Sequence, residues 1–114
     1  MASNPTINEL KMALGAKYRI CDIDLEKCLY RDFGNGFNVE ISGVSRANRK
    51  GPATLYLWFG TEAPDCLIVK TVRNVGRTAE AIVAATDELY KLAQYLIARG
   101  CTDRHSLLEM RNNL

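Results

Sequence analysis

His105 is the one histidine of the chain, and with Cys101 and Ser106 beside it the terminal segment holds the residue types of a thiol nucleophile and its base. If that segment is helical, the i and i+4 spacing sets Cys101 and His105 on one side. Nucleophilic catalysis also needs a group that orients the imidazole and donors for an oxyanion, and neither accompanies this pair. Asp22, Asp24 and Glu26 recur at alternate positions, as oxygen ligands do at the opening of a calcium loop. Lys27 stands where such a loop turns on glycine, and Phe33 where its closing glutamate belongs. A solvated strand face, or a helix cap at Asp24, accounts for the same residues. The cysteines, Cys21, Cys28, Cys66 and Cys101, form no Cys-x-x-Cys pair and have no histidine at zinc-ligand spacing, so buried, reduced thiols are expected. No Gly-x-Ser-x-Gly, phosphate-loop, dinucleotide or zinc-protease pattern occurs. On these grounds no catalytic residue, no metal and no cofactor is assigned, and the chain is not expected to be an enzyme.

Residues suited to recognition are better represented. Arg46, Arg49 and Lys50 sit in a polar loop at 45–52, and Arg73 and Arg77 precede the longest periodic stretch. If that stretch is a helix, its N-terminus adds free N–H groups and the positive end of the dipole, so the five basic residues would form a pole suited to phosphate or to a carboxylate-rich protein surface. Loops of this kind are also basic for solubility alone. Tyr56 and Trp58 share one parity of an apolar run and are available for stacking, although burial habits favour their being covered by the N-terminal segments. Tyr95, at the edge of a polar helix face lightened by Ala84 and Ala98, has the character of an interface anchor.

Positioning these groups requires a scaffold, and its strongest signal lies at 78–99. At 100° per residue Ile82, Ala85, Thr86, Leu89, Ala93, Leu96 and Ile97 fall on one side, the charged residues fall opposite, Thr78 is placed to cap, and Gly100 is placed to terminate. Thr6 and Glu9 have capping-box spacing ahead of a short first helix with Ile7, Leu10, Met12 and Leu14 to bury before Gly15. Residues 18–24 alternate loosely as a strand. Runs at 28–33 and 37–44 flank Gly34-Asn35-Gly36 as a hairpin, with Phe37, Val39 and Ile41 on a dry face, Asn38, Glu40 and Ser42 on a wet one, and Gly43 suited to a bulge. Runs at 54–59 and 66–72 follow, the second with ambiguous parity, and the turn between them carries Glu62 and Asp65. Thr102 is placed to cap a last short helix.

The expected fold class is α+β: a two-layer arrangement in which an antiparallel β-meander of three to five strands packs against the long C-terminal helix, with a short N-terminal helix and a short terminal helix, all in a single domain spanning 1–114. In a meander, 45–52 and 74–77 lie at one end of the sheet and Glu62 and Asp65 at the other. The helix, three-strand, helix order resembles the double-stranded RNA-binding domain. That family places lysines at the start of the second helix, where Thr78, Ala79, Glu80 and Ala81 stand, and membership is not assigned.

A net charge of +2 lacks the strong basic excess of a dedicated nucleic-acid binder. No apolar run approaches the roughly 20 residues of a membrane span, so no membrane partner is expected, and residues 1–5 lack a secretory pattern, which favours the cytoplasm. The expectation is a non-catalytic protein that docks on a protein partner as inhibitor, adaptor or accessory subunit, of the type small phage and mobile-element regulators represent. A nucleic-acid-binding module using the basic pole ranks second, and an enzyme with an unmarked site third. Self-association into a homodimer is compatible with either binding role.

Overall fold

Thr6 opens helix α1 (Ile7–Leu14) through a reciprocal pair of bonds: its hydroxyl accepts from the Glu9 N–H at 3.1 Å, and the Glu9 carboxylate accepts from the Thr6 N–H at 2.9 Å. The Thr6 donors hold the Glu9 carboxyl below its ordinary range. The computed structural model describes residues 4–23, 25–45 and 51–114. Ile7 and Leu10 are buried and Leu14 packs on the core, but Met12, expected to bury, is 85% exposed. The i, i+3, i+7 spacing makes one stripe of the first three, and Met12 falls outside it.

Five strands follow, β1 (Arg19–Ile23), β2 (Glu26–Asp32), β3 (Phe37–Ser42), β4 (Ala53–Phe59) and β5 (Leu67–Val75), paired in sequence order as an antiparallel meander. The β2–β3 turn uses Gly34 and Gly36 at φ +75° and +95°, and the Asp32 and Asn35 side chains accept from the Gly34 and Phe37 N–H groups. Gly43 makes no bulge. It ends β3 at φ +82°, where a Cβ would lie 3.1 Å from the Pro52 carbonyl oxygen.

The parity of β5 is settled by two register shifts against β4. One step from Leu57 to Trp58 matches two from Lys70 to Ile68, and two steps from Ala53 to Leu55 match three from Val75 to Val72. Asn74, at φ +61°, sits in the second, where its residue type tolerates the left-handed region. The shifts let Leu67, Val69 and Val75 bury and Val72 pack on the core, although no single alternation joins all four. The strand therefore absorbs Asn74 and Val75, which the sequence assigned to the crossing segment.

Thr78 caps helix α2 (Ala79–Ala98) by accepting from the Ala81 N–H at 3.2 Å, and Gly100 follows at φ +74°. Ile82, Thr86, Leu89, Ala93 and Leu96 are buried, while Ile97, expected on the same stripe, is 38% exposed because it lies at the stripe's outer edge. Helix α3 (Arg104–Arg111) is capped by Asp103, not by Thr102, through a 2.8 Å bond from the Ser106 N–H. It runs along the outer edge of β5. Arg104 donates to the Cys66 carbonyl at 2.9 Å, Arg111 to the Ile68 carbonyl at 3.2 Å, and Lys70 to the Leu114 carbonyl at 2.7 Å.

Leu29, Phe37, Val39, Ile41, Leu55 and Leu57 point to one side of the sheet and join Leu10 of α1, Ile82, Leu89 and Leu96 of α2, and Leu107 of α3 in one core. All three described helices therefore share one face of the sheet, and among the described residues the other face carries none. No described helix is long and apolar enough to cross a membrane.

Inside this core the Thr86 hydroxyl is fully buried with no hydrogen-bond partner among the described residues. Thr86→Val keeps the shape and removes the orphaned oxygen, so urea unfolding is expected to show a gain of about 1 kcal/mol. Thr86→Ser, which keeps the hydroxyl and loses a methyl group, is expected to destabilise.

Candidate binding site

On the helix-free face the registers lay side chains out in rows across the strands. Arg19, Tyr30, Glu40, Tyr56 and Thr71 are successive Cα partners from β1 to β5, and Asp32, Asn38, Trp58 and Ile68 form the neighbouring row. Cys21 of β1 stands opposite Cys28 of β2. Arg19, Tyr30, Asn38, Glu40 and Trp58 line a groove of about 340 Å³, with Ile23 towards the β1–β2 turn and Thr61 and Cys66 at the other end. That volume is in the range of sites that accept a small molecule or a side chain.

The groove floor is polar and nevertheless buried. Asn38 is 4% and Glu40 8% exposed, so the side of β3 expected to be wet is covered by its neighbours across the sheet. Trp58 Nε1 donates to Glu40 Oε1 at 3.0 Å as a diagonal pair, and Asn38 Nδ2 donates to the Gly60 carbonyl at 2.9 Å. The Cys28 thiol lies 3.9 Å from Glu40 Oε2 and 3.7 Å from Glu26 Oε2, and the latter oxygen also accepts from the Gly43 N–H at 3.4 Å. Arg19 stacks on Tyr30, its guanidinium carbon 4.7 Å from the ring centroid.

Burial, reinforced by the Glu40 and Glu26 carboxylates, pushes the Cys28 thiol up to about 12, and burial also raises Cys21 and Tyr30. An unfolded Cys28 would ionise near the ordinary thiol value of 9.0, whereas the folded protein keeps its proton to about 12. Between these values the native state binds more protons than the unfolded state, so stability is full below pH 9 and falls as pH rises towards 12. Urea midpoints at pH 8 and pH 10.5 are expected to differ more in the native chain than in Cys28→Ala, whose alkaline loss lacks this contribution.

The residues singled out in the sequence are distributed as follows. Tyr56 and Trp58 are half-buried on the helix-free face, and no described N-terminal residue is packed over them, because α1 packs with α2 on the opposite side. Tyr95 is 47% exposed, with the Arg99 guanidinium 5.2 Å from its ring centroid. Of the basic pole, Arg73 is exposed and Arg77 is buried at 4%, so Arg77 is not an exposed member. Arg46, Arg49 and Lys50 lie outside the described residues. Pairing of Ser42 with Thr54 and of Ala53 with Val75 puts the ends of β3 and β5 at one end of the sheet, and the exposed Glu62 and Asp65 fall at the other.

Cys101 precedes α3 and is buried, whereas His105 is exposed and meets Glu109 at 3.1 Å, so the two do not share a helical face. Asp22 pairs with Lys27 at 3.5 Å on the surface and Glu26 faces Cys28, while Asp24 lies outside the described residues. No cluster of three metal-ligating groups occurs among the described residues.

Arg19, Tyr30, Asn38 and Glu40 were not distinguished in the sequence as site residues. The one local sign was an acidic residue between Val39 and Ile41 in a core strand, and its aromatic neighbours come from strands separated in sequence. Comparison with known proteins returns no match: no family model fits the chain, and no curated protein or solved structure is significantly similar to it.

Proposed function

We propose that this is a small non-catalytic, cytoplasmic protein that docks on a protein partner as an inhibitor, adaptor or accessory subunit. The observation that carries the reading is the sheet face free of described helices, on which the half-buried Trp58 lines a groove with a buried polar floor and the half-buried Tyr56 stands opposite Glu40 in the register. Rigid aromatics contribute large contact area at little entropic cost, which is why interface anchors favour them. Their backing by an interior strand holds them without an ordering penalty on binding. Nucleic-acid binding is the second reading, favoured by the same two aromatics and by the exposed Arg73. Glu40, Glu26 and Asp32 on that face oppose phosphate and rank it lower.

The reading is tested by affinity capture from the native host with the native chain and with a Tyr56→Ala, Trp58→Ala double variant whose fold is checked by circular dichroism. A partner is expected that the native chain retains and the variant loses by more than about tenfold, as for hot-spot aromatics. Equal retention by both would remove the sheet face from the interface. Binding of oligonucleotides with a steep salt dependence, in place of a protein, would favour the second reading.

A further inference from the structure

We infer that Cys21 and Cys28 are an oxidisable pair, which a small-molecule disulfide of the glutathione class converts by thiol–disulfide exchange into a reversible bridge between β1 and β2. This site is independent of the docking reading.

Both cysteines are free thiols. They are direct Cα partners in the β1–β2 ladder, and the side chains of directly opposed residues leave the sheet on the same face. Opposed residues of an antiparallel pair stand about 4.5–5.5 Å apart at Cα, inside the window of about 4.4–6.8 Å that a disulfide spans. The backbone is therefore already in place for a bridge. The registers set no other two cysteines opposite each other, since Cys66 precedes β5 across the sheet and Cys101 precedes α3 in the core.

The two thiols differ in access, which fixes the order of events. Cys21 is half-buried and lines the groove, whereas Cys28 is 1% exposed. Burial and the Glu40 and Glu26 carboxylates, 3.9 and 3.7 Å from its sulfur, keep Cys28 protonated and shielded from dissolved reagents. Cys21 as thiolate attacks one sulfur of the small disulfide, forms a mixed disulfide and expels one small thiolate. Cys28 then loses its proton, attacks the Cys21 sulfur, forms the Cys21–Cys28 bond and expels the second small thiolate. Two protein thiols and one small disulfide thereby give one protein disulfide and two small thiols, and the protons of the cysteines end on the thiols released. Because the second attack is intramolecular, placement opposite the mixed disulfide offsets the weak acidity of Cys28. Where glutathione is kept reduced the pair rests open, and it closes as the poise shifts towards oxidation. The bridge then encloses residues 22–27 and fastens β1, whose pairing among the described residues is with β2 alone.

Trypsin separates the pair, because Lys27 lies between the two cysteines: Cys21 falls in the peptide from Ile20 to Lys27 and Cys28 in the peptide from Cys28 to Arg31. The native chain is incubated with oxidised glutathione at about pH 8, the remaining thiols are blocked with N-ethylmaleimide, and the digest is read by mass spectrometry. The expected product is these two peptides joined, formed in a monomeric chain of unchanged circular dichroism and separated again by an excess of reduced glutathione. Cys28→Ser is expected to stop at glutathione on Cys21. Cys21→Ser is expected to slow the oxidation of Cys28 at least about tenfold.

Glutathione retained on Cys21 of the native chain, with Cys28 still free, would overturn the inference. So would a chain in which both thiols stay unreacted, or a bridge that forms only in urea, because the folded register would then hold the two sulfurs apart. Covalent dimers joined through Cys21, or pairing of either cysteine with Cys66 or Cys101, would overturn it as well. Each of these outcomes is read on the native chain, so the test stands even if both serine variants fail to fold.

Discussion

Phe37→Ala is expected to lower the unfolding free energy by about 3–5 kcal/mol, the cost of emptying an aromatic site in a close-packed core. Phe37 is wholly buried at the start of β3, an interior strand, and faces Phe59 of β4 across the register, with ring centroids 5.2 Å apart and planes at 65°. The edge-to-face contact is lost along with the buried area, and both flanking strands are held by their own pairings, so the vacancy closes only in part. Against a typical domain stability of about 5–15 kcal/mol, this moves the chain most of the way to unfolding. Urea denaturation of Phe37→Ala beside Met12→Ala measures it. The exposed Met12 should cost less than about 0.5 kcal/mol, and equal losses at the two sites would contradict the packing described here.

Leu96→Ala and Ile97→Ala form the second decisive pair, because they are adjacent in sequence and opposite in fate. Leu96 is wholly buried near the C-terminal end of α2, and its truncation is expected to cost about 2–5 kcal/mol. Ile97 lies one helical step round the axis at 38% exposure and should cost under about 1 kcal/mol, with alanine's better helix propensity offsetting part of the lost contact. A helix rotated so that both residues pointed inward would make the two losses similar. Thermal or urea unfolding of the two variants under identical conditions therefore measures the phase of α2 on the sheet.

Why the helices were legible and the groove was not follows from the range of the forces concerned. The Thr6–Glu9 box, the Thr78 cap and the Gly34-Asn35-Gly36 turn are interactions among residues a few positions apart, so their spacing in the sequence is their geometry in space. The meander follows because short connections admit antiparallel neighbours. Alternation along β3 assigned Asn38 and Glu40 to the side away from the core, but alternation carries no information on what other strands set beside them. Trp58 reaches Glu40 from eighteen positions away, and only the register of β3 against β4 brings them together. Arg77 read as surface because it is charged and precedes a helix, yet it is buried at 4%. The parity of β5 could not be read for a related reason: extra residues near Val69 and Asn74 break the period of two, and a bulge is recognised only against the partner strand.

The clasp that α3 places on β5 makes the sheet one-sided in a second sense. Arg104 and Arg111 occupy the Cys66 and Ile68 carbonyls at the start of β5, whereas β1, the opposite rim, pairs among the described residues with β2 alone. Among the described residues, β1 is thus the more open border for an added strand. Two molecules that meet along β1 through a two-fold axis cover that border in both, so strand addition there closes on a pair.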